Sequence, residues 1–198
     1  MAISRFSTSR VGAGLPKYQK FWDQSAVLVE SDFESIATTT VGSGGSSSVT
    51  FDLTGVSGYT HLQIRSLFKP TSSSCWMRMR FNSDGGNNYA YHEIRADGSS
   101  VIGNADSTFN YSYISLYLQS PVASTFSAGV IDILDYANTN KYKTLRSLNG
   151  LDANGSGNME FVSSLWMSTS AITSIVLSCS GSNSFSEYSH FALYGIKA

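Results

Sequence analysis

Apolar side chains recur at every second position along most of this chain, and no window of eleven or more residues carries a 3.6-residue period. A period of two puts successive side chains on opposite faces of an extended strand, so the pattern dictates sheets and confines helix to short turns. Cys75–Phe81 is the cleanest case, with Cys75, Met77, Met79 and Phe81 on one face and Arg78 and Arg80 on the other. Tyr59–Phe68 sets Leu62, Ile64 and Phe68 against His61, Gln63 and Arg65, and Tyr111–Leu118 sets Ile114, Leu116 and Leu118 against Tyr111, Tyr113 and Tyr117. Further strand-length pieces are Val49–Leu53, Tyr89–Ile94, Phe126–Leu134, Lys141–Ser147, Met159–Trp166, Ala171–Cys179 and Tyr188–Ile196. Turn chemistry separates them. In Asn82–Asn88 the two glycines, Gly85 and Gly86, are expected to supply positive φ, and Arg95–Asn110 reads as a polar loop. About nine or ten strands at this spacing predict an all-β fold, an antiparallel β-sandwich that is jelly-roll-like.

An apolar fraction of 41% is enough for a core, while the charged fraction of 14% falls well below the roughly 25% of ordinary soluble domains. Ser, Thr, Asn and Gly fill the difference, which suits sheets with neutral, hydroxyl-bearing outer faces. A net charge of −1 exerts no global pull on nucleic acid or membrane. The charge is uneven, however: Met1–Lys20 holds Arg5, Arg10, Lys17 and Lys20 and no acid. The same segment carries Phe6, Leu15, Tyr18, Phe21 and Trp22, large groups that need something to bury against. Residues 1–25 therefore read as an extended N-terminal arm that binds a partner through these nine side chains. Gly42–Ser48 is linker-like, though short enough for a turn. The expected division is an arm and linker over 1–48 and a sandwich over 49–198. Cys75 and Cys179, the only cysteines, form no metal motif and read as buried free thiols, with a disulfide open if their strands adjoin. No apolar leader and no bilayer-length run is present, so a cytoplasmic origin and no membrane partner are expected.

No G-x-S-x-G elbow exists, and His61, His92 and His190 each sit among apolar strand neighbours. Glu93, Glu160 and Asp132 are the strand-borne carboxylates that a glycoside hydrolase would need. Asp152–Gly157 matches the first half of a calcium loop, but Ser163 stands where a bidentate Glu is required, which favours a β-turn. Phosphate-binding glycine motifs are absent. Arg78 and Arg80 with Trp76 form a patch too small for nucleic acid and suited to acidic side chains. Tyr89, Tyr91, Tyr111, Tyr113 and Tyr117 crowd two strands and form the candidate surface-binding set, since aromatic faces stack on sugars or bury in protein contacts. No catalytic residue, metal or cofactor is expected.

Three C-terminal stretches carry a resemblance: Asp135–Thr144, Phe161–Trp166 with Ala171–Ile175, and Phe191–Ile196. They resemble β-sandwich domains in virion structural proteins of tailed phages, including marine and cyanobacterial ones. Ile3–Arg10 and Leu15–Asp23 resemble the start of such proteins. The resemblance implies a particle component without catalytic residues, assembled in the host cytoplasm and located in the virion. Its partners would be major capsid or tail proteins and further copies of itself, a trimer being one arrangement, with no specific nucleic acid. The residues and the resemblance together offer three functions. The first is a capsid decoration or cement protein attached through the arm. The second is a tail-fibre, baseplate or receptor-binding component whose tyrosines bind host-surface glycan. The third is a polysaccharide hydrolase. The terminal strand Phe191–Ile196 is expected to close the sandwich.

Overall fold

The computed structural model describes residues 31–71, 74–117 and 124–197. Its strands are β1 (Phe33–Thr40), β2 (Ser48–Asp52), β3 (His61–Phe68), β4 (Cys75–Phe81), β5 (Tyr89–Ala96) and β6 (Val101–Phe109), followed by β7 (Ser112–Tyr117), β8 (Ser127–Ile133), β9 (Lys143–Asp152), β10 (Gly157–Trp166), β11 (Ser174–Cys179) and β12 (His190–Ile196). All pairings are antiparallel. The large sheet has the order β1-β12-β3-β8-β9-β10-β5-β6, and the small sheet the order β2-β11-β4-β7.

The winding follows from four pairings: β2 with β11, β3 with β8, β4 with β7 and β5 with β6. These make the chain a long two-stranded ribbon. Rolling that ribbon on itself adds β11–β4 and β10–β5, which is the double Greek-key wrap of a jelly roll. Two features extend it. One ribbon position is a meander, β8-β9-β10, and β12 with β1 continues the large sheet past β3. The C-terminal strand thus lies within the sheet, with Phe191 and Leu193 in the core.

Alternation works as expected in β3 and β4. Leu62, Ile64 and Phe68 join Cys75, Met77, Met79 and Phe81 in one cluster, all fully or almost fully buried. Each such side chain contributes about 1.5–3 kcal/mol. Cys75 and Cys179 are buried free thiols on adjacent strands.

Several expectations change. The compact unit starts at Asp32, because β1 pairs along its length with β12, so the sandwich includes residues the 48/49 boundary left to the arm. Gly42–Ser48 is a turn inside that unit. Ser46 and Phe185 exchange backbone hydrogen bonds, and a Cβ on Gly45 (φ 77°) would stand 2.7 Å from the Phe185 carbonyl oxygen. In the 82–88 loop the positive φ values belong to Asn82 (52°) and Ser83 (57°), not to the glycines. Asn82 earns its conformation through its amide: Oδ1 accepts from the backbone N–H groups of Thr173 and Ser174, and Nδ2 donates to the Ala171 carbonyl. The span read as a polar loop contains β6, an edge strand paired with β5.

The two outer faces differ. On the small sheet Ser48, Thr50, Asp52, Arg78 and Arg80 point outward. On the large sheet, Val130, Leu148, Phe161 and Ile94 stand directly opposite one another across β8, β9, β10 and β5. A parallel row runs Leu67, Ala128, Gly150, Met159, Ala96, Val101.

Candidate functional site

The small sheet ends at β7, whereas the large sheet continues through β5 to β6. β7 can lie close on β9 and β10 because the side chains between them are short. Ser112 Oγ meets Ser164 Oγ at 2.6 Å, and Ser147 Oγ and Asn149 Nδ2 both donate to the Ile114 carbonyl, at 2.7 and 2.8 Å. A register shift between Met77 and Arg78 marks a bulge in the β4–β7 pair. It lets consecutive residues, Tyr113 and Ile114, both be buried.

The step between the sheets is a cleft of about 280 Å³ lined by Trp76, Tyr91, Glu93, Arg95, Asn104, Phe109, Tyr111 and Tyr113. Its rings form a continuous chain. Trp76 meets Tyr113 edge-on at 6.1 Å between centroids, Tyr113 meets Tyr91 at 4.9 Å, Tyr91 meets Phe109 at 5.5 Å, and Phe109 meets Tyr111 at 5.0 Å. Arg78 fixes the last ring, its guanidinium lying 4.2 Å from the Tyr111 centroid, and Arg80 Nε donates to the Asn110 carbonyl at 2.9 Å. The small basic patch therefore braces the cleft wall through a ring and a carbonyl, where acidic partners were expected.

Glu93 supplies the polar floor. Asn104 stands directly across from it on β6 and donates Nδ2 to Oε1 at 2.7 Å, and Arg95 Nη1 donates to the same oxygen at 3.3 Å. Among the described residues Oε2 has no partner, and neither do the Tyr91 and Tyr111 hydroxyls or the Trp76 indole N–H. Burial, then the charge of Glu93, pushes the Tyr91 phenol up, so it stays a hydrogen-bond donor.

Glu160 has a different setting. It is 1% exposed against 8% for Glu93, does not line the cleft, and accepts a hydrogen bond from the Tyr113 hydroxyl. Burial, then the charge of Glu160, drives the Tyr113 phenol far up. Asp132 lies on the other face of the sheet, bonded to Gln63 Nε2 at 2.9 Å. The three carboxylates considered for hydrolysis thus do not meet in one cavity.

The tyrosine set divides. Tyr91, Tyr111 and Tyr113 converge on the cleft, half-buried or buried rather than spread on a surface. Tyr89 is 0% exposed, stacked near Trp166 with its hydroxyl bonded to the Phe81 N–H at 3.1 Å, and burial pushes its phenol up to about 12. It is a core residue and offers no surface for binding, contrary to the expectation. Tyr117 stands opposite Cys75 in the β4–β7 register. The arm residues Arg5, Phe6, Arg10, Leu15, Lys17, Tyr18, Lys20, Phe21 and Trp22 lie outside the described residues.

Other candidates dissolve into structure. His61 Nδ1 accepts the Asp135 N–H, and His190 Nδ1 pairs with Thr40 Oγ1. No group of three or more His, Cys, Asp or Glu among the described residues could hold a metal. Asp152–Gly157 is the β9–β10 turn, with Asp152 Oδ1 accepting from the Asn154 N–H. Sequence reasoning missed Arg95, Asn104 and Phe109, because Gly, Asn, Asp and Ser dominate that span and its few apolar residues give no sustained alternation. Comparison with protein-family models, with curated proteins and with solved structures finds no match.

Proposed function

We propose that the chain is a non-catalytic structural component of a virion whose sandwich attaches to a surface saccharide through the aromatic cleft. One observation carries this: aromatic rings and Glu93 line one cleft, and Glu93 Oε2 and the Tyr91 and Tyr111 hydroxyls have no partner among the described residues. A sugar ring offers what such a cleft lacks. Its C–H faces pack on aromatic rings, Trp76 being 43% exposed, and its hydroxyls donate to a carboxylate oxygen and accept from phenols. A volume of about 280 Å³ is at the small end for ligand sites and suits one ring of a longer glycan rather than a large cofactor. Glu93 is held by Arg95 and Asn104, so binding costs little reordering. The seal of Tyr113 over Glu160 supports binding without cleavage, since paired-carboxylate hydrolysis needs two carboxyl groups flanking one bond.

The particle context rests on the phage resemblance, with attachment to tail or capsid proteins as the partners and host-cytoplasmic assembly. Capsid decoration is the second reading, since the apolar outer face of the large sheet suits packing against protein neighbours, further copies of this chain included. Copy number separates the two: hundreds per particle indicate decoration, a few tens or fewer indicate the tail. The binding reading is tested by exposing the full-length chain to a glycan array and analysing the bound glycans for cleavage. Retention of a defined saccharide class, intact, is expected. Retention of none removes the attachment reading, and shortened products remove the non-catalytic one.

A further inference from the structure

Independently of the cleft, the outer face of the large sheet carries an extended apolar patch. Val130, Leu148, Phe161 and Ile94 form one unbroken row across four strands. Leu67, Met159 and Val101 stand in the neighbouring row, separated only by Ala128, Gly150 and Ala96. The seven large side chains expose between 37% and 70% of their surfaces. Together they present roughly 600 Å² of contiguous apolar area, the top of the range for the largest patch on a monomer.

The surroundings of these rows matter as much as the rows. Neither contains an acid or a lysine, and Arg65 stands only at the end of one, opposite Val130. The next row along the strands is polar, with Gln63, Asp132, Arg146, Ser163 and His92 opposite one another. An apolar centre free of acids and lysines, bordered by charged and hydroxyl groups, is how specific interfaces are built. On the outer face of the small sheet Trp76 and Val176 stand singly among serine, threonine, aspartate and arginine, so continuous apolar rows are not general to the described residues.

We propose that two copies of this chain pack face to face through the apolar rows of their large sheets. A twisted sheet face with short residues between large ones can interdigitate with its own copy about 10 Å away, as the two layers of a sandwich do. Two such faces bury roughly 1,200 Å² in total, the lower bound of a standard specific interface. A two-fold axis makes the same patch serve both partners, the commonest closed symmetry. The central anchors are Leu148 and Phe161, which oppose each other in mid-row.

Sedimentation of the full-length chain across a concentration series tests this, alongside L148E/F161E and a control, T50E, on the small sheet's outer face. Wild type and control are expected to pass from monomer to dimer as concentration rises. The double variant is expected to stay monomeric while melting cooperatively like wild type. If the charged pair prevents folding, L148T/F161T asks the same question with residues at home on an exposed strand face. A wild type that is monomeric throughout, or a folded double variant that dimerises like wild type, overturns the proposal, including the case in which residues 1–30 or another protein covers the face. Neither result bears on saccharide retention, so this proposal and the cleft fail separately.

Discussion

Glu93 and Glu160 sit on paired strands two positions out of register, and the residues above them decide what each can do. Asn104 and Arg95 hold one oxygen of Glu93 and leave the other in the cleft. Tyr113, beside the β7 bulge, closes over Glu160. Tyr113→Phe removes the donor to a buried carboxylate and is expected to cost about 1.5–3 kcal/mol, read as a lower urea midpoint; an unchanged midpoint would show that the hydroxyl does not stabilise Glu160. Asp84 links the 82–88 loop to the core, accepting from Trp166 Nε1 at 2.7 Å, Gly86 N–H at 2.8 Å and Asn88 Nδ2. Burial pushes its carboxyl up, but these hydrogen bonds and the Arg80 charge outweigh that and hold it below the ordinary value. A folded-state value below the unfolded one means the stabilisation is present above the unfolded value, about 3.9, and is lost as pH falls through the folded value. Asp84→Asn should therefore lower stability by about 1–2 kcal/mol at neutral pH, with the difference from wild type shrinking in acid. A difference that stays constant down to pH about 3 would mean Asp84 is not the titrating group. Sequence alone marked Glu93, Glu160 and the tyrosines as candidates by residue type. It could not rank them, because which side chain a bulge turns inward depends on the partner strand.

At the scale of elements, periodicity located strands wherever one face is buried and lost them where neither is. β3, β4, β10 and β11 alternate because each has the core on one side. β6 is exposed on both faces from Val101 to Thr108, so selection for apolar residues on one face is missing and the strand reads as loop. β1 is half-buried without deep alternation, so its sequence does not mark where the sandwich begins. Its attachment depends on a glycine that no pattern reveals. A Cβ on Gly195 would lie 2.4 Å from the Tyr59 ring, whose hydroxyl donates to Glu34 Oε2 at 2.7 Å while Lys197 Nζ holds Oε1 at 2.9 Å. Gly195→Ala should displace the ring, cost about 1–3 kcal/mol, and speed amide exchange in β1 before the rest of the sheet. Exchange unchanged in β1 would contradict the tie.

For the whole molecule, the jelly-roll wrap follows from strand pairings that a single sequence does not display. Strand number and turn spacing pointed to a sandwich, but the uneven eight-and-four division did not show in them, and that division makes the cleft. A large sheet that outruns its partner leaves an inner face uncovered, and here the uncovered part carries Tyr91, Glu93 and Arg95. The same excess width leaves a broad outer face for association. Both surfaces come from one topological fact, while chemistry separates their uses: rings and hydrogen-bonding groups in the cleft, aliphatic rows outside.

Attachment through the cleft is most directly measured by calorimetric titration of the array-selected saccharide into wild type, Trp76→Ala and Glu93→Gln. Saturable binding by wild type is expected, weakened about tenfold or more in each variant, since loss of a stacking ring or a carboxylate acceptor removes about 1.4 kcal/mol or more. Equal affinity in all three proteins, with the variants folded, would contradict a saccharide site between β7 and β5.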